Sequence, residues 1–445
     1  MYSTKKIAYV VAVDMGYGHQ RAAYPLRHIA KGGIINANDY PGIPRSDRKI
    51  WQSSREAYEF LSKFKKVPFI GNLAFQLFDK FQSIPEFYPR VDTSKPNLQV
   101  KSFYSLFRRK NWGGHLIKKL AKDPLPIITT FFATAFMAEY YDYPGEIYCL
   151  ATDTDVSRAW APLEPRKSRI KYFAPSHRVE ERLELYGIPK ENIFVTGFPL
   201  PEENMGKERE IAKADLGHRL FNLDPKNAYL KDYRETISAH LGKKNFPQHA
   251  HHPLTLTFAV GGAGAQRDLG IRIAKSLKTE IEQNKIRLFL VAGIHNDVSA
   301  YFRKHLIDLG LKNEIGKNIR IIFNHTKDGY FQKFNKILRG TDILWTKPSE
   351  LSFYCAFGIP IIMSDPIGSQ EMFNRKWLRT IGAGVVQENP DYTNQWLFDW
   401  LESGWFAEAA MDGFLQASCC GLQNIIDIVG KTEHHGKEVK RALNY

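Results

Sequence analysis

Apolar residues along the chain gather into short runs that end near glycine, and the same order of segments occurs twice. Residues 6–13 form an apolar, β-branched run, followed by a glycine-rich turn and the helix-like residues 20–23. The pattern restarts at residues 254–260, where a second run precedes the glycine-rich turn 261–266. A buried strand, a glycine turn and a helix are the repeating parts of a doubly wound sheet. The sequence therefore predicts an α/β protein with two Rossmann-like domains.

Shorter apolar runs supply the other strands that two such domains need. Each run has the length of a strand buried in a parallel sheet, and helical patterns lie between the runs. The predicted strands span residues 126–130 and 146–152 in the first half, and 287–292, 319–323 and 343–345 in the second. Residues 267–284 have apolar positions at helical spacing and are predicted to form the helix after the second glycine turn.

The length of the chain agrees with two folded domains. A chain of 445 residues is too long for one ordinary hydrophobic core, and its 43% of hydrophobic residues excludes a disordered protein. We predict an N-terminal Rossmann-like domain over residues 1–201 and a C-terminal one over residues 253–425. The polar residues 202–252 are predicted to be a linker or a helical insertion, and residues 426–445 a charged tail.

Most of the excess positive charge lies in one segment of the first domain. The net charge of the chain is +15, and residues 45–122 alone hold 17 Lys and Arg against 6 Asp and Glu, interleaved with aromatic residues. Such basic-aromatic helices bind anionic lipid surfaces, which predicts a membrane-facing insertion that includes Lys65, Lys66, Arg108 and Arg109. The alternative is an insertion whose rings pack on the sheet. No nucleic-acid partner is expected, because no RNA- or DNA-binding module is present.

Apolar run lengths and cysteine spacing bear on the location of the protein. No run approaches the roughly 18 apolar residues of a membrane-spanning helix, so membrane contact is expected to be peripheral. The four cysteines form no CxxC pair and no Cys/His array with zinc spacing, which suits a reducing compartment. We therefore expect a cytoplasmic protein that can bind peripherally to the inner face of the membrane.

Both glycine-rich turns connect a strand to a helix, a geometry that can hold an anion. Backbone N–H groups and the positive end of the helix converge on such a turn. Residues 14–19 lack the GxGxxG spacing of a dinucleotide site, and residues 261–266 lack the lysine of a P-loop. A dehydrogenase or a nucleoside triphosphatase is therefore poorly supported, and either turn alone is equally compatible with a plain strand–helix connection.

Short motifs in both halves carry a resemblance to a known family. The first half contains Asp-Met-Gly-Tyr-Gly-His at 14–19 and Thr152-Asp153 with Trp160 downstream. The second half contains Lys347-Pro348 and Gly-Ser-Gln-Glu-Met-Phe-Asn at 368–374. This set resembles the two-Rossmann (GT-B) glycosyltransferases, especially the monogalactosyldiacylglycerol synthase and peptidoglycan lipid N-acetylglucosaminyltransferase group. The resemblance implies two domains facing a cleft and metal-independent hexosyl transfer from a nucleotide sugar, without a cofactor.

The resemblance places donor binding mainly in the second domain. It implies that a run of small residues presents backbone N–H groups to the donor diphosphate, namely Gly262, Ala263, Gly264 and Ala265. Gln370 and Glu371 would hydrogen-bond the donor sugar, and Lys347 would contact the diphosphate or the sugar. Glu350 would contact a hydroxyl of the nucleotide. The alternatives are a solvated charge at Lys347 and an ordinary helix start at Gln370.

The resemblance places acceptor binding and the catalytic groups in the first domain. Asp153, at the carboxyl end of a strand, would take the proton of the acceptor hydroxyl, and His19 would orient the acceptor or the donor. Gly16 and Gly18 would shape the acceptor loop around His19. As alternatives, His19 caps the first helix or contacts a carbonyl, and Asp153 and Asp155 are turn residues or a metal-binding Asp-x-Asp pair.

The chain also departs from the pattern of the family. Ser349-Glu350 replaces a Gly-Gly pair, and Cys355 stands where the family has a ribose-binding glutamate. An altered nucleotide or a loss of activity is therefore compatible with the sequence. Two other functions stay open: a nucleotide-sugar 2-epimerase or hydrolase, and a non-catalytic protein that binds a nucleotide sugar or anionic lipid. His249, His251 and His252 are expected to be solvated.

Overall fold

The computed structural model describes residues 6–53, 84–247, 249–261, 264, 266–366 and 368–442. The chain divides into two compact units. The first unit comprises residues 1–200, 367–373 and 420–445, and the second comprises residues 201–366 and 374–419. The domain limits drawn from the sequence stay predictions.

The first unit contains a six-stranded sheet in which every neighbouring pair of strands is parallel. The strands are β1 (Ala8–Ala12), β2 (Ala30–Asn36), β3 (Ile127–Thr129), β4 (Ile147–Leu150), β5 (Lys171–Ala174) and β6 (Ile193–Val195). Their spatial order is β2-β1-β3-β4-β5-β6. In register, Tyr9 lies opposite Ile127, and Val10 lies opposite both Ile34 and Ile128. The β1 residues are fully buried because helices cover this central part of the sheet.

Helices of the first unit follow the strands and pack on the sheet. They are α1 (Gly18–Ala23), α2 (Leu98–Lys110), α3 (Gly114–Leu120), α4 (Phe132–Tyr140) and α5 (His177–Leu185). Residues 45–53 are also helical. The predicted insertion 45–122 therefore has helices on both sides of residues 54–83, which lie outside the described residues. Buried aromatic side chains of this region, including Trp51, Phe107 and Trp112, join the same hydrophobic core as Ile127 of the sheet.

The second unit repeats the plan with another all-parallel sheet. Its strands are β7 (Thr255–Ala259), β8 (Arg287–Gly293), β9 (Ile319–Phe323), β10 (Ile343–Thr346), β11 (Ile361–Met363) and β12 (Gly384–Val386). Their spatial order is β12-β11-β10-β7-β8-β9. This order is the one of a classical dinucleotide-binding Rossmann sheet, with the first strand of the set in the middle.

The remaining α-helices follow residue 201. They are α6 (Glu202–Met205), α7 (Glu210–Leu223), α8 (Leu230–Leu241), α9 (Arg267–Ser276), α10 (Lys278–Glu282), α11 (Asn296–Asp308), α12 (Lys327–Leu338), α13 (Ser369–Thr380), α14 (Thr393–Glu402), α15 (Trp405–Gln416) and α16 (Gly421–Ala442). Segment 202–252, predicted to be a linker or a helical insertion, thus contains three α-helices. Among the described residues, none of the helices has the length and apolar character needed to span a bilayer.

The two parallel sheets confirm the predicted α/β class with two Rossmann-like domains. Each sheet has a point where the strand order reverses direction, between β1 and β3 in the first and between β7 and β10 in the second. Ligands of open α/β sheets bind at the carboxyl ends of the strands at such points. Both glycine-rich turns lie there, because one follows β1 and the other follows β7.

Candidate functional site

The turn after β1 is fixed by polar side chains from the end of the neighbouring strand. The amide of Asn38 donates to the backbone carbonyl of Asp14, and its oxygen accepts from the Asp14 backbone N–H. The side chain of Gln20 donates to Asn36 at 2.8 Å. Gly16 has a φ of +111°, which a residue with a side chain rarely adopts. These features hold the turn in one shape and place His19 at the start of α1.

His19 is half-buried and held by the end of β3. Its Nδ1 lies 2.6 Å from the backbone oxygen of Thr130, and its ring packs edge-on against Phe131 with 5.0 Å between ring centres. A carbonyl oxygen can only accept, so Nδ1 carries the proton of this hydrogen bond. In the neutral imidazole, Nε2 is then the atom with the lone pair. His19 therefore contacts a carbonyl, as one alternative predicted.

A cavity of about 550 Å³ brings His19 together with two other predicted site residues. Asp153, which follows β4, and Gln370, in the segment assigned to the first unit, also line it. Asp153 and Gln370 are half-buried. A cavity of this volume accommodates a small molecule or part of a lipid. The cavity thus joins an imidazole, a carboxylate and an amide at the switch point of the first sheet.

Aromatic and aliphatic side chains form most of the cavity wall. They are Met15, Trp51, Ile84, Leu98, Phe103, Leu106, Trp112, Phe131, Phe132, Val156, Ala159 and Trp160. The rings contact one another: Phe131 and Phe132 lie 4.5 Å apart between ring centres, and Phe132 and Trp160 lie 5.1 Å apart. Such a wall binds apolar parts of a ligand and excludes water from the polar groups beside it.

Asp155, also at this cavity, has a structural role. It is 1% exposed, and its two carboxylate oxygens accept hydrogen bonds from Nε and a terminal nitrogen of Arg182 at 2.8 and 2.9 Å. Burial disfavours the charge of Arg182, but the hydrogen bonds and charge of Asp155 outweigh it and raise the pKa of Arg182. Because both oxygens are engaged, Asp155 is a poor ligand for a metal ion. Within the described ranges, no cluster of three or more His, Cys, Asp or Glu has metal-binding geometry.

The switch point of the second sheet combines a glycine turn with a lysine. A Cβ atom at Gly261 would lie 2.9 Å from Cε of Lys347, which follows β10, so the absence of a side chain lets the lysine lie against the turn. Gly264 has a φ of +69°, and a Cβ there would lie 3.0 Å from a methyl group of Val298. Lys347 is half-buried. A cation beside a turn that leads into α9 can bind a diphosphate.

One side chain ties this turn to the loop after β11. The amide oxygen of Gln266 accepts from the hydroxyl of Ser364 at 2.8 Å, and its nitrogen donates to the backbone oxygen of Asp365 at 3.2 Å. The sequence interpretation included Gln266 in the turn without giving it a role. Side chains that brace a loop have no spacing signal, because their partners lie about a hundred residues away.

The other predicted donor residues have different surroundings. Glu350 is 9% exposed and Glu371 is 4% exposed. Cys355 is fully buried and packs against Gly413, where a Cβ atom would lie 2.7 Å from the Cys355 backbone oxygen. Burial raises the pKa of the Cys355 thiol well above its usual range. Cys355 is thus a core residue of the second unit.

Several predicted residues lie outside the described part of the chain. They are Gly262, Ala263 and Ala265 of the second turn, and Lys65 and Lys66 of the insertion. Arg108 and Arg109 are described and lie exposed near the end of α2. Gly18 begins α1, directly before His19. The roles assigned to all these residues stay predictions.

One expectation about histidines is wrong in part. His249 and His251 are exposed, as predicted, but the side chain of His252 is only 12% exposed and its Nδ1 lies 3.6 Å from Oδ2 of Asp342. Burial lowers the pKa of His252. His252 precedes β7, and its packing against the amino-terminal edge of the second sheet had no signal in its polar sequence neighbourhood.

Comparison with known proteins gives a partial family match and more extensive similarity to enzymes. Residues 235–327 match the family described as "Domain of unknown function (DUF6938)". A processive diacylglycerol beta-glucosyltransferase of Staphylococcus saprophyticus is 20% identical over 341 residues, which cover 76% of this chain and 71% of that protein. This similarity confirms the predicted resemblance to the glycosyltransferase group.

Solved structures with related folds match with modest scores. A structure of Acinetobacter baumannii MurG has a TM-score of 0.44 and 15% identity, covering 96% of this chain and 99% of that one. Neisseria meningitidis UDP-GlcNAc 2-epimerase bound to UDP-GlcNAc has a TM-score of 0.43 and 13% identity, covering 72% of this chain and 80% of that one.

Proposed function

We propose that the chain is a glycosyltransferase that moves a sugar from a nucleoside-diphosphate donor to the hydroxyl group of a lipid acceptor. The observation that carries the proposal is the aromatic cavity at the first switch point, which His19 and Asp153 line together. A lipid acceptor has an apolar body, which the aromatic wall can bind, and a reacting hydroxyl, which needs a base close to that wall. Similarity to a diacylglycerol glucosyltransferase over 76% of the chain supports the same reaction class.

In the proposed reaction, the first unit activates the acceptor. The carboxylate of Asp153 accepts the proton of the acceptor hydroxyl. At the same time, the oxygen of that hydroxyl forms a bond to the anomeric carbon of the donor sugar. The bond between that carbon and the diphosphate oxygen breaks, and the diphosphate leaves with the electron pair. The ring of His19, which the hydrogen bond between Nδ1 and the backbone oxygen of Thr130 holds in place, orients the acceptor.

The second unit, in this proposal, binds the leaving group. The turn after β7 and the amino terminus of α9 offer backbone N–H groups to the diphosphate, and Lys347 adds a positive charge beside Gly261. Negative charge that develops on the diphosphate is stabilised by these groups without a metal ion. The proposed donor site therefore predicts that transfer continues in excess EDTA.

A screen of donors and lipids tests the proposed function. Purified protein is incubated with radiolabelled nucleotide sugars and either diacylglycerol or polyprenyl phosphate in mixed micelles, with and without EDTA. A labelled glycolipid is the expected product. Free labelled sugar without glycolipid would identify a hydrolase, and a donor with an inverted sugar centre would identify an epimerase. Binding of a donor without any product would identify a non-catalytic protein.

A lipid acceptor lies in a membrane, so binding of the protein to lipid vesicles is a second test of the proposed function. Arg108 and Arg109 are exposed near the end of α2, and other residues of this helix line the cavity. We expect binding to vesicles that contain phosphatidylglycerol to weaken as salt increases and to fall severalfold in Arg108→Glu/Arg109→Glu. The control is Lys333→Glu/Lys336→Glu, which reverses two exposed charges on α12. Equal binding by both double variants, measured by vesicle sedimentation, would contradict the membrane-facing role.

A further inference from the structure

Gln266 ends the turn after β7 in a backbone conformation that glutamine rarely adopts. Its φ is +66° and its ψ is +22°, in the left-handed region. Among the residues that the structure describes, six other than glycine have a positive φ, and four of these are Asn or Asp, whose short polar side chains tolerate this region. A glutamine is not favoured in this way, so its conformation needs support from the surrounding fold.

The support comes from the side chain of Gln266, which contacts the loop after β11. The hydroxyl of Ser364 donates to the amide oxygen, and the amide nitrogen donates to the backbone oxygen of Asp365. Ser364 is 1% exposed, and its own backbone N–H donates to the oxygen of Thr346 at 3.0 Å. Thr346 ends β10 and directly precedes Lys347. The side chain of Gln266 therefore fixes the turn against the strand that leads to this lysine.

Gln266 is also the residue from which α9 begins, and the start of this helix is unusual. An N-cap residue is normally extended and uses its side chain to accept from the first turn of the helix. Gln266 does neither, because its backbone is left-handed and its side chain makes no hydrogen bond to the helix. The conformation of this one residue therefore sets the direction in which α9 leaves the turn, and its side chain does not cap the first N–H groups of the helix.

We infer that Gln266 is a positioning residue for the donor diphosphate, because it keeps the turn after β7 and the start of α9 in the arrangement that binds this group. The inference rests on the proposed function, in which this turn holds the diphosphate. Without its two side-chain hydrogen bonds, residue 266 also populates right-handed and extended conformations, in which the start of α9 no longer points at the turn. The apparent affinity for the diphosphate then falls with the fraction of molecules that keep the left-handed conformation.

Two substitutions at this position separate the backbone from the side chain. Gln266→Ala removes both hydrogen bonds and leaves a residue that disfavours the left-handed region, whereas Gln266→Gly removes the same bonds but adopts that region readily. We expect affinity for a nucleoside diphosphate to fall about tenfold in Gln266→Ala and only about threefold in Gln266→Gly. Ser364→Ala removes one of the two hydrogen bonds and should also cost about threefold.

Calorimetric titration measures these affinities without turnover. The probes are UDP, GDP and ADP, and the one that the wild type binds most tightly is used for all variants. Asn284→Ala is the matched control, because Asn284 also has a positive φ, of +58°, and its side-chain oxygen accepts from Asn318. Asn284 precedes β8, at the opposite end of the parallel strands from the turn. This control should lower the Tm and leave the affinity for the diphosphate unchanged.

Hydrogen exchange gives a second readout that a general loss of stability does not produce. Amides in the first turn of α9 should exchange faster in Gln266→Ala than in the wild type, while those of β8 should not change. In Asn284→Ala, the first turn of α9 should exchange as in the wild type. Gln266→Gly and Ser364→Ala keep the test decisive if Gln266→Ala folds poorly, because both must still bind the diphosphate more weakly than Asn284→Ala.

The outcomes separate the inference from the proposed function. Equal diphosphate affinity in Gln266→Ala and the wild type would overturn the inference and leave the proposed function intact. Equal losses in Gln266→Ala and Gln266→Gly would also overturn it, because the backbone conformation would then have no effect. A wild type that binds none of the three diphosphates would refute the donor site and the inference together. Losses in the expected order, without any glycolipid in the donor and lipid screen, would refute the proposed function alone.

Discussion

The two glycine-rich turns occupy equivalent places in their sheets and yet present different chemistry. The turn after β1 ends in His19, a side chain whose ring is fixed by the carbonyl of Thr130 at the end of β3. The turn after β7 makes room instead: Gly261 lacks a side chain where Lys347 lies, and Gly264 approaches Val298 closely. One turn positions an imidazole in an apolar cavity, and the other brings backbone and a lysine together.

This difference shows how one strand–turn–helix plan supports two tasks. A fixed imidazole that lines the same cavity as a carboxylate suits proton transfer and orientation of a hydroxyl. A side-chain-free turn beside a cation suits an anionic group that must approach the backbone closely. The topology only sets the place, and the residues of each turn set the chemistry. If the tasks are divided in this way, variants in the two turns must fail in different assays.

The largest effect is expected from His19. His19→Ala removes the ring from the cavity and should lower kcat for glycosyl transfer about 10²–10⁴-fold, because orientation of the acceptor is lost, while donor affinity is kept. His19→Gln can still donate to Thr130 but lacks the ring that packs against Phe131, and it should be nearly as slow. Steady-state kinetics and donor titration provide the measurement. His28→Ala, which changes an exposed side chain near α1, is the control. Full activity in His19→Ala would contradict a role of His19 in glycosyl transfer.

A smaller and more selective effect is expected from the glycines. Gly264→Ala forces a side chain into a left-handed conformation at a cost of about 1–2 kcal/mol and places Cβ 3.0 Å from Val298. Donor affinity should fall about tenfold, with binding of the lipid acceptor unchanged. Gly16→Ala places its Cβ in open space but strains a φ of +111°, which should move His19 and reduce kcat instead. Donor and lipid titrations that show the same defect in both variants would contradict the division of tasks.

The strands that the sequence predicted are those with uninterrupted apolar runs. β1, β3, β4, β7, β8, β9 and β10 were all predicted, and all of them except β9 are buried along most of their length, so they contain few polar residues. β2 was not predicted, since Gly32 and Gly33 break its pattern and most of its residues are only partly buried. β5, β6, β11 and β12 were also missed. Of these, β6 and β12 lie at the edges of their sheets and, like β2, contain partly exposed residues, so they lack the signal of a fully buried strand.

The candidate site was predictable only where it has local motifs. His19 and Asp153 stand next to strand ends and could be selected from short segments. The cavity wall could not, because its rings come from segments far apart in the chain, such as Trp51, Trp112 and Trp160. The segment containing the first two was predicted to be basic and aromatic, but which rings face the sheet depends on packing.

Buried carboxylates extend the comparison between the two units. In the first unit, Asp155 and Arg182 form a direct pair with two hydrogen bonds. In the second unit, Arg219 is just as buried but donates to backbone oxygens, including that of Thr341 at 2.7 Å. Asp342 accepts from the backbone N–H of Thr255, at 2.7 Å, and from the side chain of Asn222, while its Oδ1 has no partner within the described residues. Burial raises the pKa of Asp342 to about 8, although the charge of Arg219 opposes this shift.

The smallest effect is expected from Asp342→Asn, and its size depends on pH. Asp342 stays protonated in the folded protein but ionises above its ordinary pKa of 3.8 on unfolding, so wild-type stability is reduced progressively as the pH rises from about 4 to about 8. Asparagine does not titrate, so the Tm of Asp342→Asn should rise by several degrees relative to the wild type across this range.

The neighbouring His252 contributes in the opposite sense, because burial lowers its pKa and its contribution grows as the pH rises through about 6.5. It is present in both proteins and largely cancels in their difference. Asp155→Asn is the contrast: breaking a directly paired buried charge should cost about 3–5 kcal/mol at pH 7. Thermal melts from pH 4 to pH 8 distinguish the two cases. A Tm difference that stays constant and favours the wild type would mean that Asp342 is ionised throughout and serves as the counter-charge of Arg219. The two units would then stabilise their buried arginines in the same way.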